Sequence, residues 1–368
     1  MFTASLFPFL KMAVAGLCLA LVFASCATPT PAARAPVAAG VPGLAVPPEP
    51  GWVTGGPHDR FANFAYLTAV GSGDSRQAAE MDAFRALVST FGVTVQADIR
   101  LAEVYRRTGA AATHDVVFGQ EIILGAGMDN LIGAEIGDRW EGAGRGNTFA
   151  LAVLNRERAS LIYSDMIRAN LEIIDNLTNM PPAERNSLAG FSRYQFAAVI
   201  ADMNANYAAV LSVVGSPVHG LRSGDDFRRG AQEIAAAIPI GINVSNDRAG
   251  RIQGAFARAF SDLGFRTGGA NQRYVLDVNL YVRPTDHAAP GEEPDEPPRV
   301  VFSRMELSAD LIDTARGAVL LPFNFNQREG HRTQSEAENR VFSEAERRIG
   351  REYGPMLSDF LSQLIPGR

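Results

Sequence analysis

Apolar and polar positions follow three different patterns along the chain. An apolar run fills residues 13–24, a proline- and alanine-rich stretch without periodicity covers residues 27–57, and helical and strand periods alternate through the rest. Helical spacing predicts helices with one buried face, and strict alternation predicts half-buried strands. The sequence therefore predicts a leader, a linker and a folded region of the α+β class.

The first folded unit is predicted at residues 58–160. It begins with a short strand near Tyr66, a tight turn, a helix and a second strand that alternates from Val93 to Arg100. Asp74 and Gln77 match a capping box at the start of the helix. The apolar residues that fall on one face of this helix are Met81, Phe84, Leu87, Val88 and Phe91.

Two glycines precede this helix, Gly71 and Gly73. Backbone amides at a helix start attract anions, so a phosphate site is one interpretation. However, the third glycine of the dinucleotide-binding fingerprint is missing. A tight strand-to-helix turn explains both glycines without a ligand, and we favour that structural interpretation.

A helical hairpin and a short helix are predicted within residues 161–237. The first long helix starts at Arg156, and the second follows the turn "NMPP", with Pro182 in a permitted first-turn position. The apolar residues of the two helices are Leu161, Ile162, Met166, Ile173, Phe196, Ile200, Met203, Tyr207 and Leu211. They could pack on each other, cover a sheet or bind a partner, and the sequence leaves this choice open.

The C-terminal unit, residues 238–368, is predicted to have the order β-α-β-β-β-α. Its strands are expected at Val275–Val282, Val300–Leu311 and Ala318–Phe325, and its last helix after Thr333. The apolar stripe of its first helix comprises Ile252, Phe256, Phe260 and Leu263. The folded region is thus expected to be two small sheet-and-helix domains joined by a helical hairpin.

The N-terminal run is predicted to be a signal peptide, residues 1–25. Lys11 supplies its positive charge, and about a dozen apolar residues follow, fewer than the roughly 20 that a membrane-spanning helix needs. The sequence "FASC" at Phe23–Cys26 resembles the bacterial lipoprotein box, although Phe23 replaces the preferred leucine. That resemblance implies that Cys26 is acylated and becomes the mature N-terminus; the alternative is an ordinary secreted protein with an incidental cysteine.

Residues 26–57 are predicted to be a lipidated cysteine and a disordered tether. Prolines recur throughout this stretch among alanines and glycines, and such a composition favours extended polyproline conformation. At about 3.1 Å per residue its reach is on the order of 90 Å. The folded region is therefore expected to stand away from the membrane that holds Cys26.

Charge and composition exclude several functions. The formal net charge is −6, and removal of residues 1–25 takes away one lysine and no acid, which gives −7. This argues against nucleic-acid binding, which needs a cationic surface. Lys11 is the only lysine, so neither a Walker phosphate loop nor a Schiff-base mechanism is available. The two cysteines, Cys18 and Cys26, leave no disulfide in the folded region.

No catalytic, cofactor or metal site is predicted. None of the histidines is at metal-ligand spacing from another or from a cysteine; they are His58, His114, His219, His287 and His331. An acidic loop with Glu292, Glu293, Asp295 and Glu296 lacks the calcium-loop pattern, so we favour a solvated loop. The cluster Arg328, Glu329, His331 and Arg332 would suit an anion, but we favour a charged strand-to-helix turn.

One stretch resembles a known family. A strand ending in "AVGSG", the helix "SRQAAEMDAFRALV" and the later "IGDRWEGAGRGNTFALAVLNRERAS" resemble the LPP-twenty family of bacterial envelope lipoproteins, over roughly residues 60–170. The last stretch matches that family's closing strand and following helix, and the family carries no catalytic residues. The C-terminal unit is similar, by analogy only, to the α/β periplasmic domains of CsgG- and TolB-type envelope proteins.

The resemblance implies a lipid-anchored, non-enzymatic protein of the cell envelope. No acidic retention residue follows Cys26, which by family analogy favours the outer membrane, facing the periplasm. The expected partners are the membrane, through the acyl chains, and another envelope protein or a wall or flagellar assembly. The competing hypothesis is an enzyme with an unrecognised site that acts on wall polymer.

Overall fold

A computed structural model describes residues 48–91, 131–142, 148–268, 272–285 and 300–365. Within these ranges the chain forms two sheets and a set of helices, so the predicted α+β class is confirmed. The predicted signal peptide, Cys26 and the strand predicted at Val93–Arg100 lie outside the described residues.

The first sheet contains β1 (Tyr66–Gly73), β2 (Ala134–Glu141) and β3 (Thr148–Asn155). Its order is β1-β3-β2, and both pairs are antiparallel. The prediction of one closing strand before the long helix is therefore wrong, since this stretch supplies two strands of the sheet.

Helix α1 (Arg76–Ser89) packs on β1 with its small residues. Ser75 caps it by accepting a hydrogen bond from the backbone N–H of Ala78 at 3.2 Å, so the predicted cap at Asp74 is wrong. The helical residues that are buried are Ala79, Ala83 and Leu87, whereas the larger Met81 and Phe84 are only half-buried.

The glycines of β1 explain this alanine-lined contact. A Cβ atom at Gly71 would overlap the backbone of Ala83, and one at Gly73 would lie 2.6 Å from the backbone N of Ala79. Both glycines belong to the strand and not to a turn. They are structural, as favoured from the sequence, but their role is to let the helix lie directly on the strand.

The opposite face of the first sheet is covered by the segment just before β1. Trp52, in a short 3-10 helix (Gly51–Thr54), and Phe61 pack against Leu151 and Val153 of β3. Trp52 is 4% exposed. The last residues assigned to the tether from the sequence, 48–57, therefore belong to the packed fold.

The helical hairpin consists of α2 (Arg156–Thr178), the short α3 (Pro182–Arg185) and α4 (Leu188–Val214). The predicted start at Arg156 and the first-turn position of Pro182 are confirmed. The second helix was predicted as continuous, but Ser187 interrupts it, because its hydroxyl accepts from the backbone N–H of Gly190 at 3.0 Å and caps α4. Helix α5 (Gly224–Ala237) follows and packs on α4.

The second sheet contains β4 (Ile240–Ser245), β5 (Thr267–Gly268), β6 (Tyr274–Thr285), β7 (Val301–Asp313) and β8 (Ala318–His331). Its order is β5-β4-β6-β7-β8; the pairs made by β4 are parallel, and β6, β7 and β8 are antiparallel. The short β5 was not predicted. Strand β8 extends to His331, so the turn predicted at residues 327–332 is wrong.

Three helices cover one face of the second sheet: α6 (Arg251–Ser261), α7 (Gln334–Arg348) and α8 (Gly354–Gln363). The predicted stripe is confirmed for Ile252, Phe256 and Phe260, which are at most 1% exposed. The fourth predicted member, Leu263, follows the end of the helix and is half-buried. Thr333 caps α7 as predicted, by accepting from the backbone N–H of Glu336. The last helix was predicted as continuous, but a π-helical turn at Ile349–Tyr353 divides it.

The hairpin contributes to both cores, which resolves the choice that the sequence left open. Tyr163 and Ile167 of α2, with Leu211 of α4, join the core under the first sheet. Ile174 of α2 and Ile200 of α4 join the core under the second sheet. Helix α4 is also the one described helix long and apolar enough to cross a membrane, but half of its most apolar window is buried in these cores.

Candidate functional site

The candidate site is the face of the second sheet that the described helices leave uncovered, here called the open face. On β6 the inward residues Leu276, Val278 and Leu280 are buried, and the intervening side chains point the other way. The side chains that form the open face are Asn243, Ser245, Asp277, Asn279, Tyr281, Arg283, Phe302, Arg304, Glu306, Ser308, Asp310, Pro322, Asn324, Asn326 and Arg328. Most are polar, which is typical of a sheet with one solvated side.

Strand register arranges the open face in cross-strand rows. Asn279, Ser308 and Asn324 form one row, and Tyr281, Glu306 and Asn326 form the next. Tyr281 is 63% exposed, an unusual exposure for a large side chain in the middle of a strand. The open face therefore presents an aromatic ring within a field of amides and hydroxyls.

Three arginines form a row of their own. Arg283 of β6 is opposite Arg304 of β7, which is opposite Arg328 of β8. Glu306 lies 2.9 Å from Arg283 and 3.4 Å from Arg304, so one carboxylate serves two guanidinium groups. Like charges directly opposite each other in a sheet are destabilising. This arginine row is thus a local concentration of positive charge at one end of the open face, and Glu306 offsets only part of it.

Phe302 and Gly330 hold the outer arginine in place. The two residues are opposite each other in the register, and a Cβ at Gly330 would lie 2.6 Å from the Phe302 ring, so only glycine lets that ring lie across β8. The guanidinium carbon of Arg328 lies 3.9 Å from the centre of this ring. The stacked position limits the freedom of Arg328 and keeps its charge on the open face.

Carboxylates mark the other end of the open face. Asp277 of β6 is opposite Asp310 of β7, six residues along each strand from the arginine row. Asn243 donates to Asp277 at 2.8 Å and orients its carboxylate. The open face is therefore polarised, with three arginines near one end and two aspartates near the other; the side chains between them are neutral except Glu306, which lies next to the arginine row.

Away from the open face, His58 forms hydrogen bonds that hold two segments of the fold together. His58 Nε2 lies 3.0 Å from Asp138 Oδ2 while its Nδ1 accepts from the Arg60 backbone N–H, which fastens the segment before β1 to β2. Burial raises the pKa of Asp138, but the hydrogen bonds from His58 and the Arg139 backbone outweigh it, and the pKa is lowered. These contacts explain the position of His58 without a ligand.

A cleft of about 420 Å³ lies between the hairpin and the second sheet. Its carboxylate, Asp313, is 2% exposed and is held by Arg273 at 3.3 Å and by the backbone N–H of Ala315 at 3.1 Å. These donors explain the position of the Asp313 carboxylate without a ligand.

The residues that the sequence analysis weighed as candidate sites lie in different parts of the structure. Of the charged cluster near β8, Arg328 lies on the open face, whereas Glu329 is on the opposite side of the strand, 2.6 Å from Gln327. The acidic loop residues Glu292, Glu293, Asp295 and Glu296, and also His114 and His287, lie outside the described residues. No group of three metal-binding side chains occurs in the ranges that the structure describes.

Sequence reasoning missed most of the open face. The alternation at residues 275–282 already placed Asp277, Asn279 and Tyr281 on the polar side of a strand, and this was the available signal. The arginine row had no local signal, because its members are 21 and 24 residues apart along the chain. Only strand pairing brings them together.

Comparisons with known proteins assign no family. The sequence matches no protein-family model and no curated protein. A secreted protein from the human pathogen Helicobacter pylori is similar in structure with a TM-score of 0.37 and 12% identity, over 78% of this chain and 98% of that one. A minor lipoprotein from Acinetobacter baumannii has a TM-score of 0.26 and 12% identity, over 32% of this chain and 90% of that one. A candidate lipoprotein from Caulobacter crescentus has a TM-score of 0.23 and 18% identity, over 32% of this chain and 90% of that one. Such low scores carry no conclusion about fold or function.

Proposed function

We propose that this chain is a lipid-anchored protein of the bacterial cell envelope that binds a partner through the open face and catalyses no reaction. The LPP-twenty resemblance and the outer-membrane location belong to the same proposal. The observation that carries it is the open face itself, a polarised surface with an exposed tyrosine that no described element covers.

The anchor is supported by the order of segments at the N-terminus. An apolar run, the sequence "FASC" and a proline-rich stretch succeed one another before the first packed residue, Trp52. Acyl chains contribute about 0.8 kcal/mol per buried methylene, so several of them hold a protein at a bilayer without a spanning helix. The tether would then let the open face meet partners at a distance from the membrane.

The non-catalytic character is supported by the polar groups of the described residues. Catalytic sites gather titratable side chains with strongly shifted pKa values in a cleft. The lowered pKa values of Glu80 and Glu346 arise from hydrogen bonds to arginines that tie secondary-structure elements together, and that of Glu352 arises from Arg348 one turn away. Those of Asp138 and Asp226 arise mainly from hydrogen bonds to His58 and Ser223, respectively. The open face is one side of a sheet and not a cleft, a surface that suits a macromolecular partner better than a small substrate.

The test is site-specific photo-crosslinking in living cells with the full chain. A photo-reactive amino acid replaces Tyr281 on the open face, and the matched control replaces Leu161 of α2, which is equally exposed at 63%. We expect a discrete product from position 281 and none from position 161. Equal trapping at both positions, or none at position 281, would contradict binding through the open face.

The anchor is tested separately. Replacement of Cys26 by serine should move the protein from the membrane fraction to the soluble fraction and abolish labelling by a radioactive fatty acid. If the Cys26→Ser variant stays in the membrane fraction, the proposed lipid anchor is wrong. The crosslinking test of the open face does not depend on this result.

A further inference from the structure

We propose that the partner of the open face is the open face of a second copy of this chain. The inference rests on the proposed function, because it names the occupant of the same surface. It is carried by the polarised order of charges along β6 and β7, which is self-complementary in one orientation.

That orientation is a two-fold axis lying between the two sheets and running across the strands. The axis passes between the row of Asn279 and the row of Tyr281 and reverses the order of rows in the second copy. Arg283 then faces Asp277 of the second copy on β6, and Arg304 faces Asp310 of the second copy on β7. Each pair occurs twice because the interface is isologous.

The two middle rows are also compatible in this orientation. Ser308 faces Glu306 of the second copy, a hydroxyl donor opposite a carboxylate acceptor. On β8, Asn324 faces Asn326 of the second copy, and two amides can exchange hydrogen bonds. On β6, Asn279 faces Tyr281 of the second copy, which gives the exposed ring an amide to pack on.

A two-fold axis that runs along the strands is excluded by charge. An axis parallel to the strands keeps each row opposite itself, so the arginine row would meet the arginine row of the second copy. The aspartates would likewise meet aspartates. Like charges brought together across an interface cost several kcal/mol, so electrostatics selects the first orientation.

The charges of the open face sum to zero, which favours a second copy over a purely acidic or basic partner. Arg283, Arg304 and Arg328 supply three positive charges, and Asp277, Glu306 and Asp310 supply three negative charges. An anionic membrane would attract the arginine row and repel the aspartate end. A surface with the same mixed pattern in reverse places a carboxylate opposite Arg283 and Arg304, whereas Arg328 faces Pro322 of the second copy, whose row neighbour is Asp310.

The size of the open face predicts a weak dimer. Four strands about 4.8 Å apart and rows spanning roughly 27 Å give on the order of 500 Å² per copy, or about 1,000 Å² in total. This lies at the lower limit of specific interfaces. Anchoring two copies in one membrane raises their effective concentration, so the dimer is expected to form at the membrane more readily than in dilute solution.

The test combines crosslinking at position 281 with charge reversal in the full chain in membranes. The starting protein should give a product of twice the chain mass, since position 281 faces Asn279 of the second copy. Arg304→Glu alone places two carboxylates opposite each other, and Asp310→Arg alone places two guanidinium groups opposite each other. We expect each single variant to reduce the self-crosslink at least tenfold.

Co-expression of the two single variants provides the decisive result. In a mixed pair, the new carboxylate of the Arg304→Glu chain faces the new guanidinium of the Asp310→Arg chain, while the unchanged Arg304 and Asp310 face each other at the symmetry-related position. The crosslink between the two differently tagged chains should therefore return to within about twofold of the original. Arg168→Glu, at a 70% exposed side chain on α2, is the control for a charge reversal elsewhere and should have no effect. Thermal melting of each variant checks that it is folded.

The outcomes separate this inference from the function on which it rests. The two-fold arrangement is wrong if the yield of self-crosslink is unchanged by the charge reversals, or if the yield is not restored in the mixed pair. A product between position 281 and a different protein overturns self-association but leaves binding through the open face intact. If position 281 gives no product at all, both proposals are wrong.

Discussion

Asn170 of α2 donates a hydrogen bond to the side-chain oxygen of Asn204 of α4 at 2.8 Å, at the level where the two cores of the molecule meet. Asn204 is 1% exposed. Above this pair the hairpin packs under the first sheet, and below it the hairpin packs under the second. The pair fixes the register of the two helices at their contact, since a slip of either helix would bury an amide without a partner.

We therefore expect Asn170→Ala to lower the free energy of unfolding by about 1–3 kcal/mol, because it leaves the buried amide of Asn204 without its donor. Denaturant unfolding of both single alanine variants and of the double variant measures the coupling. A double-mutant cycle should give a coupling of about 1 kcal/mol. Strictly additive effects would mean that the bond contributes nothing.

The strand glycines give a second prediction. Gly71→Ala should destabilise the fold by more than about 2 kcal/mol, because the new methyl group would overlap the backbone of α1. The matched control is Gly254→Ala on α6, where a Cβ would meet no atom within 4 Å. That change should be neutral or stabilising by up to about 1 kcal/mol, since alanine favours a helix. Thermal unfolding compares the two, and an unaffected Gly71→Ala variant would contradict the close packing.

The buried tyrosine of the π-helical turn, Tyr353, gives a third prediction. Tyr353 is fully buried among Phe256, Phe260 and Phe323, and its hydroxyl has no partner in the described part of the chain. Burial raises the pKa of its phenol well above the usual range. Tyr353→Phe should leave stability unchanged or raise it by up to about 1 kcal/mol, because an unsatisfied polar group is removed.

The control for this change is Tyr274→Phe. The Tyr274 hydroxyl accepts a hydrogen bond from the backbone N–H of Leu188 at 3.4 Å. Its loss should cost about 1 kcal/mol, because the N–H at the start of α4 is left unpaired. The denaturant midpoint should therefore stay the same or rise for Tyr353→Phe and fall for Tyr274→Phe. Equal losses of stability would show that the Tyr353 hydroxyl does have a partner.

The pairing of α6 with α7 predicts a dependence on pH. Arg251 donates to both carboxylate oxygens of Glu346, at 2.9 and 2.8 Å, and these hydrogen bonds lower the pKa of Glu346 below its usual 4.5. A lowered pKa in the folded state adds stability above pH 4.5 that is lost as the pH falls through the folded value. Glu346→Gln should cost about 1–2 kcal/mol at pH 7. The difference in unfolding free energy between the two proteins should shrink as the pH falls through the lowered folded pKa, and a difference that stays constant from neutral to acidic pH would contradict the linkage.

Much of the secondary structure follows from local pattern. The start of α2 at Arg156, the apolar stripe Ile252–Phe256–Phe260 and the Thr333 cap of α7 were all predicted, because each depends on residues within a few positions of one another. The alternation of β6 likewise assigned its inward and outward sides. These features arise from local backbone geometry and from the burial of one side of each element.

Tertiary structure alone decided how distant segments meet. Gly71 and Gly73 resemble turn glycines until α1 is seen to lie on them, and β8 continues to His331 because β7 is there to pair with it. The rows of the open face exist only through the register of β6, β7 and β8. A sequence states which side chains point outward from a strand, but hydrogen-bonded pairing between strands determines which of them become neighbours.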